Sequence, residues 1–75
     1  MIASGEDLAQ ARKALGWTAY ELALALRMYG DRTALKRRIY DMETGYRPIP
    51  GPTAVAVEAL VSGWRPEDFR SRDPE

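Results

Sequence analysis

The stretch that decides the fold reads Arg32-Thr33-Ala34-Leu35-Lys36-Arg37-Arg38-Ile39-Tyr40-Asp41-Met42-Glu43-Thr44-Gly45. Drawn as a helix, it has a dry side and a basic side. Leu35, Ile39 and Met42 recur at i, i+4 and i+7 and stack on one face. At about 100° per residue, Thr33, Lys36, Arg37 and Tyr40 point the other way. Gly45 ends the pattern, and either Asp31 or Thr33 is placed to cap its start.

Outward from this helix, the flanks read as further helices. On the N-terminal side, Ser4 can cap a first helix, with Asp7 at its positive end. Leu8, Ala11 and Leu15 form its inner stripe and Gly16 ends it. Thr18-Ala19-Tyr20-Glu21 is a capping-box pattern that starts a second helix running to about Met28, with Leu22, Ala23 and Leu26 inward and Gly30 as its stop. The alanines at 19, 23 and 25 allow close helix approach. Trp17 is expected to pack under the turn between helices 1 and 2. On the C-terminal side, Tyr46-Arg47-Pro48-Ile49-Pro50-Gly51-Pro52 cannot be helical, because proline removes donors and biases its predecessor to extended forms. Pro52 fits the first position of a fourth helix, Thr53 to Val61. That helix is apolar nearly all round and must bury itself in the core or against a partner. Ser62-Gly63 stops it, and Trp64 to Phe69 is a further contact segment. There is no strand signal and no repeat.

Composition narrows the function classes. The chain has 75 residues, with no cysteine and no histidine. That excludes disulfides, a zinc site and imidazole catalysis, and a carboxylate-only metal site is not expected. No cofactor is expected. A domain of this size buries only about 60% of its unfolded surface, so compact helix packing or a second copy must stabilise it. No apolar run approaches the about 18 residues of a membrane span. The first residues lack the basic and apolar regions of a signal peptide, so a cytoplasmic protein is expected. No cluster of nucleophile, base and oxyanion donors is apparent, so an enzyme is not expected.

Eleven basic residues balance eleven acidic ones, but unevenly. Met1 to Leu26 carries two basic and three acidic residues, Arg27 to Arg47 six and three, and Pro48 to Glu75 three and five. The positive excess coincides with the two-faced helix. A helix with an apolar back and a cationic, hydrogen-bonding front suits a reader of the DNA major groove.

Two short helices followed by a basic helix ending in Glu-x-Gly resemble the helix-turn-helix domains of the phage Cro/repressor (XRE-like) family. The resemblance covers about Leu8 to Leu60. Its carriers are Arg12-x-x-x-Gly16, Thr18-x-x-Glu21-Leu22-Ala23, Ile39-x-x-x-Glu43-x-Gly45 and the Ile49-Pro50-Gly51-Pro52 lead into helix 4. It implies an all-α, four- to five-helix helix-turn-helix domain. The sequence sets that domain at residues 1–69, and Arg70 to Glu75 reads as a flexible, charged tail. The resemblance further implies a structural ion pair between Arg12 and Glu43. Small members of this kind often act as autorepressors in phages, mobile elements and toxin–antitoxin or anti-CRISPR operons. The chain departs from the family twice. Ala23 to Glu43 is about six residues longer than the usual spacing, so helix 2 or helix 3 is longer or Met28 to Arg32 forms a loop. Ala19 stands where the family places a phosphate-contacting glutamine, a role left to Tyr20, Thr18 or the longer loop.

Particular residues then acquire roles. Arg37 and Lys36 are the expected base contacts, reaching guanine O6/N7. Tyr40 joins them, meeting a thymine methyl or a phosphate. Arg32, Thr33, Arg38 and Arg47 are expected at the DNA backbone, with Thr33 equally suited to capping. Asp41 accepts from cytosine N4 or orients Arg37 or Arg38 within the helix. Val57, Leu60, Val61, Trp64 and Phe69 are expected to form a homodimer interface, Trp64 and Phe69 serving otherwise as core lids. A two-fold dimer sets two recognition helices about 34–36 Å apart on a palindromic operator. The competing reading is a protein-interaction module whose basic helix binds an acidic partner.

Overall fold

A computed structural model describes residues 1–66. Four helices follow one another: α1 (Gly5–Leu15), α2 (Ala19–Ala25), α3 (Arg32–Glu43) and α4 (Gly51–Val61). Among the described residues there is no strand, so the fold is all-α. Phe69, the expected domain end at 69 and the tail at 70–75 lie outside these residues.

Local chemistry sets most boundaries. Ser4 Oγ accepts the Asp7 N–H at 3.2 Å, and Asp7 Oδ2 accepts the Ala3 N–H at 3.0 Å. Thr18 and Glu21 form the reciprocal capping box, at 2.7 and 3.1 Å. Asp31, not Thr33, caps α3, its Oδ1 accepting the Ala34 N–H at 2.8 Å. Thr33 lies exposed in the first turn. Gly16 closes α1 in the left-handed region at φ 75°, with the Trp17 N–H returning to the Arg12 carbonyl.

Helix α2 is shorter than its pattern predicts. It stops at Ala25 rather than near Met28. Arg27 takes the left-handed position at φ 58°, and its N–H bonds the Leu24 carbonyl. The Met28 N–H returns to the Ala23 carbonyl at 3.1 Å and the Met28 side chain packs on the core. This is a Schellman ending in which an arginine occupies the usual glycine place. Gly30, expected as the stop, sits inside the connection 26–31 that separates α2 from α3. The longer spacing is therefore a loop, and no tight three-residue turn joins the two helices.

The core takes Leu8 and Ala11 from α1, then Trp17, then Ala19, Leu22, Ala23 and Ala25 from α2. Leu35, Ile39 and Met42 come from α3, and Val57 and Leu60 from α4. Helix α3 packs on α2 and α1, and α1 on α4. Helix α2 brings three buried alanines to this core, small residues that allow close helix approach. Val57 and Leu60 correct an expectation. Placed by the sequence at a dimer surface, they are 0% and 1% exposed inside this chain's own core. A helix apolar on every side gives no periodicity to say which side turns in. The outward side of α4 keeps Val55, Val61 and, just beyond the helix, Trp64 at about half or more exposed.

After α4 the chain turns at Gly63, with the Trp64 N–H bonding the Ala59 carbonyl. Arg65 lies over the Trp17 ring at 5.0 Å and donates to the Leu60 carbonyl at 3.0 Å. Pro66 is buried. No helix among the described residues is long and apolar enough to cross a membrane.

Candidate nucleic-acid interface

Burial of Leu35, Ile39 and Met42 fixes the rotation of α3 about its axis. Lys36, Arg37 and Arg38 are then exposed. None of the three makes a hydrogen bond or ion pair among the described residues. Arg32, also exposed, stacks on the Tyr20 ring at 4.6 Å.

The two carboxylates of α3 are both engaged by arginines from outside the helix. Glu43 meets Arg12 of α1 in a two-point pair, Oε2 to Nε at 2.6 Å and Oε1 to Nη2 at 3.1 Å. Arg12 Nη1 also donates to the Trp17 carbonyl at 3.1 Å. The side chains are only 15% and 7% exposed. Glu43 raises the Arg12 guanidinium above its ordinary value through these hydrogen bonds, with burial opposing. Asp41 Oδ2 accepts from Arg47 Nε at 3.2 Å, and the Asp41 carbonyl accepts the Arg47 N–H at 3.0 Å. Asp41 therefore does not orient Arg37 or Arg38. It holds the chain leaving α3 and occupies part of the Arg47 charge. What remains uncompensated on α3 is Arg32, Lys36, Arg37 and Arg38.

These cations fall in three positions round the helix. On one edge, Lys36, Tyr40 and Arg32 share a shallow cleft with Thr18, Ala19 and Tyr20 at the start of α2. Tyr40 is 45% exposed, its ring 5.8 Å from the Arg12 guanidinium carbon. On the other edge, Arg38 and Arg47 line a groove with Met28 and Pro48. Helical periodicity sets Arg37 and Thr33 on the crest between them.

Compared with protein-family models, curated proteins and solved structures, the chain matches none.

Two tyrosines escaped the sequence reading. Tyr29 and Tyr46 are 89% and 78% exposed, and they flank α3 in sequence. Aromatic rings left in water beside a cationic helix are candidate contacts. Their position just outside the helix is the only sequence signal for them.

Proposed function

We propose that this protein is a sequence-specific double-stranded DNA-binding regulator of transcription, a homodimeric repressor of the helix-turn-helix type. The reading rests on one observation: α3 buries its apolar side and carries four exposed cations while both its carboxylates are neutralised from outside. A duplex groove about 12 Å wide admits such a helix. Arg37 on the crest forms a two-point contact with guanine, with Lys36 and Tyr40 beside it. Arg32, Arg38 and, more weakly because of Asp41, Arg47 neutralise phosphates on the two flanks. Tyr29 and Tyr46 donate their hydroxyls at the helix ends. Repression needs only occupancy of the operator, so no catalytic group is required.

Arg37→Ala is expected to cost about 1–3 kcal/mol on the selected site and to relax base preference at one position. Arg38→Ala is expected to weaken all sequences alike and to reduce the salt slope by about one. Binding selection from random DNA, followed by titration of both variants, checks this. Equal losses on selected and random DNA for Arg37→Ala would remove it from base reading. If no duplex is enriched, the reading as a whole fails.

Dimerisation is assigned to the outward side of α4, where Val55 and Trp64 are exposed. Val55 and Trp64 line one shallow groove with Pro52, Ala56 and Ala59. Two-fold pairing there presents two copies of α3 to an inverted repeat. Val55→Glu is expected to yield a monomer in sedimentation and to lose binding to the full repeat while keeping its helical signal. An unchanged mass would take α4 out of the interface.

A further inference from the structure

We infer that the groove between the C-terminal half of α3 and the start of α4 is a binding site for a small organic anion with an apolar, aromatic body. The groove, open to solvent along one side, offers about 430 Å³, within the about 300–1,000 Å³ of small-molecule sites. Met28, Met42, Pro48 and Pro50 supply apolar lining, and Arg38 and Arg47 supply charge. Asp41 answers Arg47, whereas Arg38 has no partner among the described residues. The local balance is one positive charge beside an uncovered apolar wall.

Neither half of that lining explains the other if the site is solely a phosphate contact. Phosphate gains nothing from two thioethers and two proline rings. An uncharged apolar ligand gains nothing from an unpaired guanidinium. An aromatic carboxylate uses both: its ring packs on Met28, Pro48 and Pro50, and its oxygens take the planar fork of Arg38. Two other grooves do not offer both halves free. The one over α4 is lined by Pro52, Val55, Ala56, Ala59 and Trp64, with no cation. The cleft of Lys36 and Arg32 has the rings of Tyr20 and Tyr40, but Arg32 already lies over the Tyr20 ring at 4.6 Å.

The site carries a regulatory consequence, which rests on the DNA-binding reading. Arg38 serves both ligands. An anion in the groove occupies its donors and adds negative charge beside the phosphate track, so ligand and DNA weaken each other by the same factor.

The probe is 2-naphthoate, titrated into the full chain carrying labelled methionine methyl groups. There are three methionines. Met28 and Met42 line the groove, and Met1, 98% exposed, is the internal control. Saturable shifts of Met28 and Met42 are expected, with a dissociation constant below about 1 mM, and none of Met1. Arg38→Gln, a change at an exposed position, is expected to weaken binding about tenfold. The uncharged 2-naphthylmethanol is expected to bind as poorly as the variant does. Absence of saturable shifts, equal affinity in Arg38→Gln, or a Met1 shift as large as those of Met28 and Met42 would each overturn the site. In a second arm, saturating naphthoate is expected to release the selected DNA. A protein that takes naphthoate but no DNA supports the site and overturns the reading above it. One that binds DNA but no naphthoate overturns the site alone.

Discussion

Glu43→Ala is expected to lower stability by about 3–5 kcal/mol. The carboxylate accepts two hydrogen bonds from Arg12, at 2.6 and 3.1 Å, and both side chains are largely shielded from water. Deleting it does not return Arg12 to solvent. The guanidinium stays between α1 and α3, held by the Trp17 carbonyl, with its charge unanswered. A 75-residue domain has only about 4–11 kcal/mol to lose, so the loss is a large fraction of the total and the variant is expected to melt well below the wild type. The partner test separates the pair from the burial. Arg12→Met with Glu43→Leu removes both charges and keeps apolar volume, so most of the loss is expected to return. Urea midpoints of wild type, the single variant and the double variant measure this. A loss below about 1 kcal/mol in Glu43→Ala would show that the pair behaves as an exposed one.

The same pair illustrates what could be read from sequence. Periodicity and capping chemistry are local, and they placed Ser4, Gly16, Thr18, Glu21 and the Leu35, Ile39, Met42 face where they lie. Trp17 and the α2 alanines followed from position next to those caps. The Arg12–Glu43 pair joins residues 31 apart, and a family resemblance, not spacing, suggested it. Where an outcome depended on which distant group came near, local pattern failed. Asp41 lies four residues beyond Arg37, within reach inside a helix, yet pairs with Arg47, because the chain turns back after Gly45 and brings that arginine in. Val57 and Leu60 turn inward because α1 offers them a surface, which an all-apolar helix cannot announce. The end of α2 was missed because Arg27, not a glycine, adopts the left-handed backbone. For the candidate interface, the rotation of α3 was legible from three apolar residues. The neutralisation of its carboxylates, which leaves the cations in excess, was not.

Gly5→Ala is the second large effect expected, and it tests contact rather than charge. Gly5 begins α1 against the last turn of α3. A Cβ there would collide with the carbonyl oxygens of Met42 and Glu43 and stand 2.6 Å from the Glu43 carbonyl carbon. These are backbone atoms of a packed helix, with no rotamer to move aside. The glycine is needed for closeness, since its backbone is not in the left-handed region. A loss of about 3 kcal/mol is expected, at the upper end for overpacking. For a domain this small that lowers the melting temperature by more than about 12 °C. Gly51→Ala supplies the control. Apart from its chain neighbours its Cβ meets nothing within 4 Å and its φ is not positive, so only crowding by Pro52 opposes it and a cost of no more than about 1 kcal/mol is expected. Because Gly5 and Glu43 both report on the α1–α3 contact, Gly5→Ala and Glu43→Ala are expected to be non-additive, the second costing less once the first has moved α1 away. If Gly5→Ala melts within a few degrees of Gly51→Ala, α1 does not approach the end of α3 this closely. The setting of α3 that exposes Lys36, Arg37 and Arg38 would then lose one of its two supports, leaving the α2 contact alone to fix it.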